Sequence, residues 1–275
     1  MIVSRTSKWL TYLVLTTFAF LSVYPLIGLL AVALEPPGSL VGGVPLFPES
    51  FHLSNFSLVW SQAHLGAAFI NSGKIALLTV TFTLICSVTA GYAFGTMRFR
   101  GSAVIFSVLM LGLMVPTEAV IIPLYYDLRA TPIADTIWAV VFPQTAAGIA
   151  FGTFWMRTFF AAAPRELTEA ALVDGAPRWK VLWSVLLPLA RPAIQTLALL
   201  AFLSSFNDFL LPLIMLQNPS IQTVPLSVAA FQGPRVTDQT GVAAVALLAC
   251  LPVLAVYLFL QRRLIEGLTA GALKG

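Results

Sequence analysis

At 275 residues, with 59% hydrophobic and only 9% charged side chains, this chain is far from the roughly 25% charged residues of soluble domains and reads as a polytopic membrane protein. Its net charge of +4 is spread over the ends of apolar runs rather than gathered on one face, which excludes nucleic acid as a partner. Cys86 and Cys250 sit inside apolar runs without CxxC spacing or a neighbouring histidine, so they mark neither disulfide nor metal and read as buried small hydrophobes.

In chain order, Arg5 and Lys8 precede an apolar run from Trp9 to Leu34. That run is far longer than the roughly 7–15 residues of a signal-peptide core and has no small-residue cleavage site after it, so it reads as the first span. Five further segments are long enough to cross roughly 30 Å of hydrocarbon as helices: Leu65–Thr96, Ser102–Tyr125, Asp135–Phe160, Pro192–Leu216 and Gly241–Leu260. Pro25, Pro116, Pro123, Pro143, Pro212 and Pro252 lie in or near these spans, where neighbouring helices re-satisfy freed carbonyls, so kinks rather than breaks are expected. With the N-terminus inside, twelve basic residues fall on the cytoplasmic side and three (Lys74, Arg129, Arg235) elsewhere, so both termini are expected in the cytoplasm. The outer loops are then residues 35–64, with a short helix around Ser54–Gln62, and residues 217–240. The whole of 1–275 reads as one transmembrane domain, with a cytoplasmic loop at 161–191 and a tail at 264–275.

Enzymatic signatures fail on inspection. Gly73-Lys74 is followed by Ile75 where a phosphate loop needs Ser or Thr, and Ala68 stands where its upstream glycine belongs. There is no HExxH or G-x-S-x-G. No metal site is expected, and the chain is read as a non-enzyme that binds no cofactor of its own.

The sizeable polar island of the second half is Pro164 to Pro192, PRELTEAALVDGAPRWKVLWSVLLPLARP. Pro164 suits a helix start, with Glu166 and Glu169 near its positive end. Gly175 offers a left-handed stop. Pro177 can open a second helix expected to end before Pro188. In that helix Trp179, Leu182, Trp183 and Leu186 fall at i, i+3, i+4 and i+7, which predicts one apolar face packed back on the spans. The shape is that of a docking element; the bland alternative is a solvated positive loop.

Glu169-Ala170-Ala171, three residues, Gly175, nine residues, Val185, one residue, Leu187-Pro188 resembles the EAA loop of ATP-binding-cassette importer permeases, with Val for the usual Ile. The whole chain is similar to the smaller permease of the maltose-transporter type within the carbohydrate-uptake branch. The pieces that carry this likeness are Asn71-Ser72, Gly91-Tyr92-Ala93-Phe94 before Arg98-Phe99-Arg100-Gly101, Phe206-Asn207-Asp208-Phe209 and the terminal Gly267–Gly275. The resemblance implies an all-α membrane protein with the six transmembrane helices of a type I importer permease. It implies a second, different permease, a homodimer of ATP-binding subunits that hold the ATP and magnesium, an extracytoplasmic solute-binding protein, and a sugar-type substrate.

It also implies roles. Glu166, Glu169, Ala170, Ala171, Asp174, Gly175, Arg178 and Pro188 would form the ATPase-coupling element. Gly271, Lys274 and Gly275 in the tail would touch the ATPase dimer, unless the tail is simply disordered. Glu118 (about 24 Å along the third span at 1.5 Å per residue), Asn207 and Asp208 are intramembrane polar groups, which face a bundle interior or a cavity; they are candidates for the translocation path, the alternative being hydrogen bonds to neighbouring helices near the outer interface. Lys74 is read as snorkelling to the outer interface. Gly148-x-x-x-Gly152 allows close helix packing, within the chain or against a second permease. The alternative is an ion-coupled secondary carrier using Glu118 and Asp208, but no inverted repeat is visible and the island would be unexplained.

Overall fold

The computed structural model describes residues 5–37, 47–48, 50–231 and 238–272. Among these residues there is no strand. In chain order the helices are α1 (Arg5–Leu34), α2 (Ser54–Gln62), α3 (Leu65–Thr96), α4 (Ser102–Leu111), α5 (Thr117–Leu128), α6 (Trp138–Ala162) and α7 (Arg165–Val173). They continue as α8 (Arg178–Val181), α9 (Leu187–Leu189), α10 (Arg191–Asn207), α11 (Leu210–Met215), α12 (Val224–Phe231) and α13 (Gln239–Ala272). Among the described residues, Lys8–Leu34, Leu65–Thr96, Trp138–Ala162 and Gln239–Phe259 are each long and apolar enough to cross a membrane, and two bent pairs, Ser102–Met114 with Thr117–Leu128 and Arg178–Leu189 with Arg191–Asn207, bring the number up to six if each pair counts as one span.

The expected third span is one of those pairs. A 3₁₀ turn at Gly112–Met114 follows α4, and α5 departs at 96°. Pro116 causes the break: Val115 before it is extended, at φ −81° and ψ 117°, as steric conflict with a proline ring requires. A kink was expected here, and the depth assigned to Glu118 along a straight span fails with it. The fifth span is also interrupted, because Asp208 is extended (φ −66°, ψ 124°) and ends α10 before α11.

Two compact units divide the chain, Met1–Gly66 with Ser227–Leu251 and Ala67–Leu226 with Pro252–Gly275. In the first, α2 is tied to the end of α1. The Asn55 side-chain amide donates to the carbonyls of Ala33 and Glu35, both at 2.9 Å, and His52 N–H donates to Leu34 O at 2.9 Å. These bonds occupy carbonyls that a helix C-terminus otherwise leaves orphaned. Cys250, expected to be buried, is exposed on α13, and Cys86 in the other unit is half-buried.

The second unit is built on α3 and α6. Thr79 donates to Gln144, 65 positions on. At the same offset, a Cβ added at Gly148 would meet Thr83, one at Gly152 would meet Ser87, one at Gly91 would meet Met156, and one at Gly95 would meet Phe160. Partner numbers rise together, so the helices run parallel, in contact at every fourth residue. Small residues here bring the backbones together, where dispersion and short contacts replace the hydrophobic drive that lipid does not supply. The Gly148/Gly152 pair thus packs within the chain.

Two apolar clusters lie at opposite ends of this pair. One joins Val88, Tyr92, Met156 and Phe160 to Val181, Leu182, Leu186, Ala190 and Leu197. The other joins Ile75 and Val140 to Ile121, Leu211 and Met215.

Candidate functional site

The polar island folds as a helix, a turn and a second helix. Its turn is a Schellman motif: Ala176 N–H donates to Ala171 O and Gly175 N–H to Leu172 O, both at 3.0 Å, and Gly175 takes φ +78°. A side chain in that conformation is strained, which is the physical reason for glycine. Glu166 lies in the first turn of α7, and Glu166, Glu169, Ala170, Asp174 and Gly175 are all exposed on or just after it. Ala171 is instead half-buried against the first apolar cluster.

The second helix departs from expectation twice. It does not stop before Pro188. A π-turn at Leu182–Leu186 intervenes, with Leu187 N–H reaching back to Leu182 O, and α9 runs through the proline to Leu189. Pro188 has no N–H to offer Ser184, and the wider turn removes the usual clash of its ring with that carbonyl. The buried stripe is also displaced from the one drawn at 3.6-residue spacing. Val181, Leu182 and Leu186 are buried at 0%, 5% and 0% exposure, whereas Trp179 and Trp183 are exposed at 66% and 58%. Arg178 and Pro188 are exposed, and Tyr92, buried on α3, donates its hydroxyl to Arg178 O at 3.0 Å. Trp155 on α6 likewise donates to Ala193 O on α10 at 3.0 Å. The island is therefore pinned to α3 by Tyr92 and packed on α6 through Met156 and Phe160, and the start of α10 just after it is held by Trp155.

Between the two apolar clusters lies a cavity of about 890 Å³. Thr79 and Thr83 of α3, Phe142, Gln144 and Phe151 of α6, Thr117 and Leu124 of α5, and Ser204, Ser205 and Asp208 around the end of α10 are part of its wall. Of the three residues expected on the path, Asp208 alone lines it. Glu118 is exposed in the first turn of α5, and Asn207 is exposed with its amide donating to Leu203 O of its own helix at 2.8 Å. Pro116 precedes Glu118 at the bend into α5, and Asp208 ends α10 just after Asn207.

Gln144 is the residue that the reading of the sequence missed. Its Nε2 donates to Asp208 Oδ2 at 2.9 Å, while its Oε1 accepts from Ser205 at 2.6 Å and from Thr79 at 3.2 Å. An amide in the middle of an apolar span was the available signal. Asp208 Oδ1 takes one long bond from Leu211 N–H at 3.4 Å, so this carboxylate retains acceptor capacity toward the cavity. Asp208 is also the single titratable side chain in the wall among the described residues. Hydroxyls, an amide, a carboxylate and two phenyl rings can hold a hydroxyl-bearing solute by hydrogen bonds and ring contact.

Gly73-Lys74 lies inside α3, where the backbone is helical and cannot wrap a phosphate. Lys74 is exposed there. Asn71-Ser72 is buried and structural: Asn71 donates to Ser220 O at 3.0 Å and Gln222 O at 3.1 Å, and Ser72 Oγ accepts from Val224 N–H at 2.9 Å. The first part of the expected 217–240 loop is thus fastened to α3, and α12 forms within it. In the tail, Gly271 falls within α13, while Lys274 and Gly275 lie outside the described residues.

Residues 87–269 match the family model described as binding-protein-dependent transport system inner membrane component. The chain is 31% identical to the arabinooligosaccharides transport system permease protein AraQ of Halalkalibacterium halodurans, over 98% of this chain and 97% of the relative. It is 31% identical to the lactose transport system permease protein LacG of Rhizobium radiobacter, over 94% and 93%. The sulfoquinovosyl glycerol transport system permease protein SmoH of Agrobacterium fabrum is 30% identical, over 92% and 89%. In fold it is similar to a chain of a bacterial ABC transporter crystal structure involved in import of the acidic polysaccharide alginate. That match has a TM-score of 0.75, with 23% identity over 95% of this chain and 99% of that one.

Proposed function

The chain belongs to the family of binding-protein-dependent transport system inner membrane components, and from that premise we propose that it is one permease subunit of an ATP-driven importer of a sugar or sugar derivative. Its partners are a second, different permease, two copies of an ATP-binding subunit and an extracytoplasmic binding protein. Both termini and the 161–191 island face the cytoplasm, in keeping with the twelve-to-three distribution of basic residues. ATP and magnesium are held by the partner subunits. The relatives' named cargoes, arabinooligosaccharides, lactose and sulfoquinovosyl glycerol, support a carbohydrate-type solute.

One observation carries the mechanism: the helix that lines the cavity through Thr79 and Thr83 also holds the island, through Tyr92 and Arg178 O at 3.0 Å. Closure of the ATPase pair acts on exposed α7, where Glu166, Glu169 and Asp174 offer acceptors to partner donors and Ala170 permits close approach. Gly175 fixes the turn. Movement of the island then reaches α3, and with it α6, which together form two walls of the cavity. The cavity alternates between the two sides as the ATPases close and reopen. The outer 217–240 segment and the C-terminal tail meet the binding protein and the ATPase pair.

The test is purification from membranes in mild detergent, with the wild type and Glu169→Lys compared. Wild-type recovery of another permease and an ATPase at twofold stoichiometry is expected. Glu169→Lys should keep the permease pair and lose most of the ATPase. Recovery of the chain alone, or equal retention by the variant, would overturn the assignment.

A further inference from the structure

We propose that the exposed face of the α8–α9 segment, carrying Trp179, Lys180 and Trp183, together with Arg191 at the start of α10, seats anionic phospholipid headgroups at the membrane interface. This rests on the reading of the chain as a membrane transport component and gives an occupant to a surface that reading does not use. The two indoles are 66% and 58% exposed and stand one turn apart. Among the described residues, neither indole N–H donates to a protein acceptor. Val181, Leu182 and Leu186 of the same segment are locked into the apolar cluster with Tyr92, Met156 and Phe160, which holds the segment with its indoles outside.

Geometry and charge point to lipid. The segment Arg178–Leu189 meets α10 at 79°, so where α10 crosses the bilayer the segment runs along its surface, one residue from the entry of the span. No carboxylate occurs between Asp174 and Asp208, and Lys180 and Arg191 are exposed. The preceding α7 region is of opposite character, with Glu166, Glu169 and Asp174 against Arg165. An acidic half fits basic groups of a protein partner, whereas a half combining tryptophan with cations matches the headgroup zone. Indoles concentrate there with N–H directed to polar atoms, and cations are drawn to anionic lipid.

The experiment uses the assembled importer in nanodiscs of phosphatidylcholine and phosphatidylglycerol, alongside this subunit alone. A nitroxide at Ser184→Cys, in a Cys86→Ala/Cys250→Ala background, reports collision with oxygen, which favours lipid, and with a water-soluble nickel chelate. Lys180→Cys reads the same face if the first label perturbs folding. Oxygen collisions exceeding nickel collisions in both preparations are expected. Nickel in excess places the face in water, and exclusion of both agents only in the assembly gives it to a protein partner; either overturns the proposal. Lipid extraction supplies the charge test. Phosphatidylglycerol should be retained severalfold above its share of the disc, and Lys180→Gln/Arg191→Gln should return it to that share. Unchanged enrichment in that variant also overturns the proposal. Failure of the ATPase to assemble would count against the proposed complex, while the isolated subunit still reads out the lipid face.

Discussion

Replacing Gly91 by alanine tests the central helix pair directly. The added Cβ would lie 2.5 Å from Met156 Cβ and 2.9 Å from both Arg157 N and Met156 C. Ordinary contact begins near 3.4 Å, so α6 must move outward by roughly 1 Å, and two of the three obstacles are backbone that no rotamer change removes. Overpacking of a filled interior typically costs about 1–3 kcal/mol, and the upper half of that range is expected because the same displacement disturbs Gly95, Gly152 and Gly148 in register. Gly73 on the same helix is the control, since a Cβ there meets nothing within 4 Å. Gly73→Ala should gain up to about 1 kcal/mol from helix propensity. The assay is reversible denaturation of the purified subunit in mixed micelles, with wild type and both alanine variants run in parallel. Equal stability of Gly91→Ala and wild type would refute the close-packed pairing.

Gln144→Leu leaves Asp208 Oδ2, Ser205 and Thr79 without their shared partner. A loss of about 1–3 kcal/mol is expected from the unpaired buried groups. A cycle with Asp208→Asn should be clearly non-additive in stability; additive effects would show the network to be inert. Tyr92→Phe removes the hydroxyl held by Arg178 O at a stability cost of about 0.5–1.5 kcal/mol. Its expected signature in reconstituted vesicles is less solute moved per ATP hydrolysed, with ATPase subunits still bound. An unchanged ratio would show that this bond only supports the fold.

The helices Leu65–Thr96 and Ser54–Gln62 coincide with the sequence expectation, because long uninterrupted apolar runs and short amphipathic pieces are set by local composition. The third and fifth spans were harder. A proline in an apolar run is equally compatible with a kink and with the 96° bend found at Pro116, and the choice is made by packing of α5 against Ile75 and Leu211 in the second cluster. Pro188 was read as a stop because steric rules for α-helices say so, yet a π-turn is a second solution to the same steric problem. The buried stripe falls on Val181, Leu182 and Leu186, and both tryptophans are left outside. Asp208 was visible as a charge in oil. Gln144 was not weighed because an uncharged amide stands out less, and its value depends on the register between two helices 65 residues apart.

That register has a mechanical consequence. A pair keyed at every fourth residue has no gentle sliding motion, since a shift of one residue would bring larger side chains onto the glycines at 91, 95, 148 and 152. The next arrangement with small residues again in line is a whole repeat away, about 6 Å at 1.5 Å per residue. Short of such a jump, α3 and α6 behave as a single stiff rod. A push delivered beside Tyr92 at one end then reaches Thr79 and Gln144 with little lost to slippage, and the polar knot around Asp208 is strained or released at the same moment.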